Sequence, residues 1–383
     1  MTAPLTEAEL VHLVRRVFQR HPDDRGLAVL VDLPDEHTPD NADWAARRAM
    51  AAGWAERLDA AKGELGLERV SLVHYRNVRR NNADLPATAH VHAGGALPQR
   101  ADELPGEGTP FGELYARHQI LVAPTEFSAT APLKLAAPAH RFRAATMPGF
   151  SDAMVPALRL DWMEIHSRCR ALKEELDAAE GAEIATTALE EDHLLYLDLR
   201  HRAAHASGGM IAEPGVAGNL PSGETYIVPY EGEIEGDPSR SEGTLPLQLG
   251  GEIFAYRIAG NRVVAVLGDG PVARAEWAEM EREPGYRNVA ELGLGILADY
   301  GIAPVGELLL DEKLGLHVAF GRSDHFGGVT GPSQFSAPEK VVHIDRVYIP
   351  EVQPAVHVRV VDLHMKDGAI VPLMRDGRWV KRP

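Results

Sequence analysis

The chain has 383 residues, 45% of them apolar and 25% charged, with 36 glycines and 27 prolines. At roughly 150 residues per domain the length suggests two domains, and the mixed composition excludes disordered, fibrous and collagen-like classes. Acidic residues outnumber basic ones 56 to 39, and the formal charge of −17 repels nucleic-acid phosphates and anionic lipid while favouring metal cations and cationic substrates. No nucleic acid and no membrane is therefore expected as a partner.

Leu10, Leu13, Val14 and Val17 recur at helical spacing, so an amphipathic helix opens the chain. The segment Met1 to Phe18 mixes Glu7, Glu9, Arg15 and Arg16 among its apolar residues and lacks the uninterrupted apolar centre of a signal peptide. No stretch approaches the roughly 20 apolar residues of a membrane span. The single cysteine, Cys169, allows no intrachain disulfide framework, cysteine-rich zinc module or iron–sulfur site, and a reducing, cytoplasmic setting is the expectation.

A strand over residues 27–33, a long helix over 42–65 with Trp44, Ala51, Trp54 and Leu58 on one face, and a second strand over 69–75 make a βαβ unit with parallel pairing. Further strands are expected at 119–124 and 142–146. Asp161, with Glu164 three residues on, opens a helix that Gly181 ends. After about residue 190 the texture changes to short β-rich runs divided by Gly, Pro and Asp, at 196–198, 225–228, 253–258, 263–267, 317–320, 341–349 and 356–363. The expected fold is an α/β N-terminal domain over 1–195, followed by a C-terminal, metal-binding α+β domain over 196–383 built on a mainly antiparallel sheet.

Some candidate motifs are weak. Gly293, Gly295 and Ala298 form G-x-G-x-x-A with Glu312 downstream, but a dinucleotide loop must follow a buried strand, and residues 287–291 read as too polar for one. No G-x-S-x-G surrounds any serine; Ala206-Ser207-Gly208-Gly209 has His205 where the leading glycine should stand. His90 and His92 would share a strand face, and His201 and His205 a helix face, yet neither pair has a carboxylate partner set.

The stretch from Asn219 to Asp345 is different, because acids and imidazoles there fall in apolar surroundings. Glu224 enters the run 225–228, Glu291 stands among Val289, Ala290, Leu292 and Leu294, and Glu312 and His317 flank Lys313-Leu314-Gly315-Leu316. In Val341-Val342-His343-Ile344-Asp345 the alternation of a strand aims His343 and Asp345 to one side. Buried carboxylates are costly unless a cation compensates them. Four carboxylates and two imidazoles are a plausible ligand set for two divalent metals; alternatively each residue is exposed, or paired with Arg287, Lys313 or Arg346.

Four segments carry a resemblance. Asn219-Leu220-Pro221-Ser222-Gly223-Glu224 looks like the N-L-P-[AS]-G-E turn of the aminopeptidase T family of metalloaminopeptidases. The segment from Arg287 to Gly295 resembles that family's second glutamate segment, Asp311 to Gly321 its Glu-Lys block with a glycine turn and histidine, and His343-Ile344-Asp345 its H-x-D. The likeness covers the C-terminal half. It implies a homodimeric enzyme that removes N-terminal residues from small peptides or amino-acid-derived substrates. Its site would hold two divalent ions (Zn, Co, Mn or Mg) on Glu224, Glu291, Glu312, His317, His343 and Asp345. On that reading Glu291 is the choice for general base. The family's catalytic-site tyrosine, seven residues after the histidine matching His317, is here Asp324, which could hold the substrate's ammonium. Residues 296–298 also depart from the family's Asn-Pro continuation. The alternative is a resemblance to the dihydroxypyridine ring-cleaving dioxygenases, with one Fe(II) on His317, His343 and Asp345.

Overall fold

The computed structural model describes residues 3–380. The chain forms two compact units, Met1–Met163 with Gly209–Ser222, and Glu164–Gly208 with Gly223–Pro383.

The first unit is α/β. Its sheet runs, edge to edge, Ala217–Asn219, Arg143–Thr146, Ile120–Ala123, Gly26–Leu33, Arg69–Arg76, Thr88–Val91 and Thr109–Pro110. The first five strands are mutually parallel and Thr88–Val91 is antiparallel to its neighbour. Gly26–Leu33 is buried along its whole length, as a central strand covered on both faces must be. The opening helix, Glu7–Phe18, starts at a reciprocal Thr6–Glu9 capping box and buries Leu10, Leu13, Val14 and Val17, the stripe read from its spacing. The helix expected over 42–65 is interrupted. Ala42–Ala60, begun by the Asn41 side chain accepting from Trp44 N, gives way at Ala61 to a single turn, Lys62–Leu65, which Gly66 ends with a φ of 71°.

The second unit is α+β, and all its strand pairings are antiparallel. One sheet has eight strands, Arg262–Leu267, Glu252–Ala259, Glu242–Leu249, Glu191–Asp198, Ala179–Ala188, Val356–Met365, Ile370–Arg375 and Arg378–Trp379; the other has five. Leu195, Leu197, Tyr256, Leu292, Val318, Phe320 and Val361 belong to one shared core. This α/β unit followed by a mainly antiparallel α+β unit is the fold class expected from the sequence.

The units do not divide at residues 195 and 196, which fall inside the strand Glu191–Asp198. Ala179–Ala188 and Glu191–Asp198 form a hairpin, in register from Gly181 opposite Asp198 to Ala188 opposite Glu191, and a cut there would unzip it. The preceding helix, Trp162–Ala178, stops short of Gly181. Gly181 is a strand residue rather than a helix stop, and a Cβ there would overlap the Tyr196 ring and hydroxyl. Among the described residues no helix is long and apolar enough to cross a membrane.

Candidate metal centre

The five-stranded sheet carries the candidate site. Its order is His343–Val347, Leu316–Gly321, Val289–Gly295, Glu224–Ile227 and His205–Ser207. Across it Glu224 faces Gly295, Tyr226 faces Gly293, Gly293 faces His317, Glu291 faces Ala319, Ala319 faces Asp345 and Gly321 faces His343. Directly opposed residues of an antiparallel pair project to one side, as do alternate residues of a strand. Glu224, Glu291, His317, His343 and Asp345 therefore share one face, and the positions between them are glycine or alanine. A Cβ at Gly293 would overlap the His317 ring, and one at Gly295 the Lys313 backbone, so this G-x-G is the floor under an imidazole. Val289–Gly295 is a fully buried strand in spite of its polar start, and Ala298 lies in the 3₁₀ turn Leu297–Tyr300.

The imidazoles close on one carboxylate. His317 Nε2 is 3.2 Å from Glu291 Oε1 and 3.6 Å from Glu224 Oε2, while His343 Nε2 is 3.3 Å from Glu291 Oε2 and 3.6 Å from Asp345 Oδ1. Two three-donor groups result, Glu224–Glu291–His317 and Glu291–His343–Asp345, with the donor atoms of each within 4.8 Å of one another. Glu291 is common to both. His343 Nδ1 is 2.7 Å from the Arg322 carbonyl, and donation there turns its Nε2 toward the carboxylates. Glu224 Oε2 and His317 Nδ1 are buried without a hydrogen-bond partner.

Glu312 stands outside both groups. Lys313, 1% exposed, sets its ammonium between Glu312 and Glu224, 2.6 Å from Glu224 Oε1 and in close contact with Glu312 Oε1. One of the ion pairs weighed as an alternative to a metal is thus present. The other two cations are engaged elsewhere: Arg346 donates to Glu276, and Arg287 to the Val263 carbonyl.

The field at the site is strongly negative. Burial pushes Glu312 up to about 8, with Asp345 and Glu224 adding to it against the opposing Lys313. For His317 burial works downward, but Glu291 and Glu224 outweigh it and lift the ring to about 9. His343 is raised by Asp345 and Glu291 in the same way, again against its burial. Burial would raise Glu291, but the two imidazoles bring it below the usual carboxylate range.

Other expected residues fall elsewhere. Asp324, in the turn Asp324–Phe326, accepts from Arg322 Nε at 2.6 Å, so its charge is already matched. His201 and His205 share no helix: His201 sits in a turn with a φ of 62° and pairs with Asp237, and His205 opens a strand. His90 lies opposite His74, whose ring is 5.7 Å from that of His92; they form no donor group among the described residues. Residues outside the expected ligand set also reach the centre. The His325 and Phe326 rings each lie 5.5 Å from the His343 ring, and Tyr226 follows Glu224 at the two-residue spacing that could have revealed it.

No family model matches the chain. The chain is similar to aminopeptidase T. It is 31% identical to the Thermus thermophilus protein over 197 residues, 46% of this chain and 43% of that one. With the Thermus aquaticus protein the figures are 30% over 213 residues, 51% and 46%. The chain thus spans under half the length of these relatives. Among solved structures it resembles 2,5-dihydroxypyridine dioxygenase from Pseudomonas putida, with a TM-score of 0.61 and 15% identity, and wild-type AmpT from Thermus thermophilus, with a TM-score of 0.52 and 18% identity; each match covers 98% of both chains. At these identities the likeness is one of fold.

Proposed function

We propose that the chain is a metal-dependent, aminopeptidase-like hydrolase that releases N-terminal residues from small peptides or aminoacyl amides. The observation that carries this reading is the pair of three-donor groups sharing Glu291 on one buried sheet face. The name of the Thermus relatives supports it. The donors suit two divalent ions such as Zn, Co, Mn or Mg: hard carboxylates and imidazole nitrogens, a buried carboxylate oxygen without a partner, and more negative charge than Lys313 alone offsets. Ions bound there would polarise the scissile carbonyl and lower the pKa of water.

The residues then divide the work. Glu291 holds both groups together, and this competes for the same two oxygens with the general-base role expected of it. We assign proton transfer to Glu312, a buried carboxylate beside the site that lies outside both groups and is held by the Lys313 ammonium. It takes the proton of the attacking water and returns it to the leaving amine. Lys313 holds Glu224 and Glu312 in position. Asp324, matched by Arg322, is not assigned to the substrate's ammonium. The second unit is the catalytic one in this reading, and the homodimer implied by the resemblance goes with it.

A mononuclear Fe(II) ring-cleaving dioxygenase is the second reading, favoured by the TM-score of 0.61. Its triad of His317, His343 and Asp345 would have Glu291 between its two imidazoles, a further carboxylate that suits a second ion better than an open position for oxygen. The deciding measurement is metal content per purified chain, followed by assays of aminoacyl-amide cleavage and of oxygen uptake with dihydroxypyridines. Two ions with amide cleavage is the expected result. One iron with oxygen uptake overturns the proposal in favour of the second reading, and a chain that takes up no metal overturns both.

A further inference from the structure

Tyr226 lies on the site face of the five-stranded sheet without a task in the scheme above. It follows Glu224 by two residues and so projects to the same side, opposite Gly293, which in turn faces His317. Because Gly293 has no side chain, the His317 ring lies over it, and in the row His205–Tyr226–Gly293–His317 the phenol borders the imidazole with no other side chain between them. The ring is clamped: His205 stacks on it at 5.2 Å and 21°, Phe326 meets it edge-on at 4.8 Å, and His205 Nε2 lies 3.0 Å from the Phe326 carbonyl oxygen. Tyr226 is only 9% exposed.

The face is poorly supplied with donors for an anionic oxygen. Its carboxylates repel one, its imidazoles turn Nε2 to Glu291, and Lys313 is held by Glu224 and Glu312. We propose that Tyr226 is a catalytic residue whose neutral O–H donates a hydrogen bond to the scissile carbonyl oxygen as that oxygen gains negative charge. No proton is transferred and no bond to Tyr226 is made or broken. A donor preset toward developing charge in a site with little water contributes about 10²–10³ in kcat, and the clamp of His205 and Phe326 is what presets this one. The inference rests on the hydrolase reading.

Tyr226→Phe keeps the stacked ring and deletes only the hydroxyl, so the full-length, metal-loaded chain can be compared with and without it. Three quantities are read: metal content, kcat and KM for an aminoacyl amide, and affinity for an aminoalkyl phosphonate, whose tetrahedral anionic oxygens mimic the charged state. The variant is expected to keep its metals and its KM within about twofold, to lose about 100-fold in kcat, and to bind the phosphonate more weakly by a comparable factor. Turnover and phosphonate affinity both within about twofold of the natural chain overturn the proposal. So does a variant that loses its metals, because the phenol would then act through the ions. A natural chain that binds metals and phosphonate but cleaves no amide overturns the hydrolase reading instead, and the phosphonate comparison then decides Tyr226 by itself.

Discussion

Glu291 and Glu312 show how two buried glutamates of one sequence come to differ. Glu291 has an imidazole at each oxygen and is held ionised, whereas Glu312 is lifted toward neutrality and faces one ammonium. Their amide variants should therefore separate. Glu291→Gln is expected to lose most of the bound metal, since removing the shared carboxylate weakens both groups. Glu312→Gln is expected to keep its metal while kcat falls by about 10²–10⁴, the usual contribution of a positioned proton carrier; metal analysis with steady-state kinetics on the same preparations checks both. At this scale the sequence was partly legible. His343 and Asp345 could be paired because a strand repeats every two residues, and Glu224 and Glu291 stood out as acids in apolar runs. Pairing with Lys313 was among the alternatives the sequence offered, but it could not be assigned to Glu312 there, because both lie in a 3₁₀ turn, Glu312–Leu314, where no simple period says which way a side chain points. Cys169 is buried, and burial, with Glu224 adding, pushes its thiol up to about 12, leaving it an inert core residue.

At the scale of elements, small residues decide where large ones sit. The five-stranded sheet brings two imidazoles and three carboxylates together only because Gly293, Gly295, Ala319 and Gly321 occupy the positions between them. Gly293→Ala is expected to push the His317 ring off Glu291, lowering metal affinity at least tenfold and destabilising the fold by about 1–3 kcal/mol through overpacking. Equilibrium dialysis and thermal unfolding would check it, and a variant matching the natural chain in both would remove the role given to this glycine. Regular elements with a clear period, such as Glu7–Phe18 and Gly26–Leu33, were visible in the sequence. Those governed by a distant partner were not. Gly181 read as a helix stop because its cross-strand neighbour Tyr196 is fifteen residues away in the chain, and His201 with His205 read as helical because the left-handed turn at His201 has no local signature.

For the whole molecule, the acid excess of the chain is repeated among the buried groups of the candidate site, and this gives a pH dependence with a definite sign. In the metal-free protein His317 titrates near 9 against its ordinary 6.5, and Glu312 near 8 against 4.5. Both bind protons in the folded chain that the unfolded chain has released, so stability is lost as pH rises, from about 4.5 through 8 for Glu312 and from about 6.5 through 9 for His317. Glu291 and Asp345, whose pKa values are lowered, work at the acid end and do not affect this window. Chelator-treated protein should lose several degrees of Tm between pH 6.5 and 9. Since His317 must give up its proton to a metal, apparent metal affinity should rise by up to tenfold per pH unit over the same range. A flat Tm and a flat affinity would show that these groups do not face one another as the structure has them.

The sequence by itself determined the residue types of the site, the α/β then α+β order and the helical and strand periods, because each rests on local spacing or on the cost of burying charge. Tertiary structure alone decided that Glu291 is shared, that Glu312 is tied to Lys313, that Tyr226 lies on the same sheet face, and that the units part at residues 163, 208 and 222. These depend on the register of strands far apart in the chain, and register is settled by packing across a sheet, which no single stretch of sequence contains.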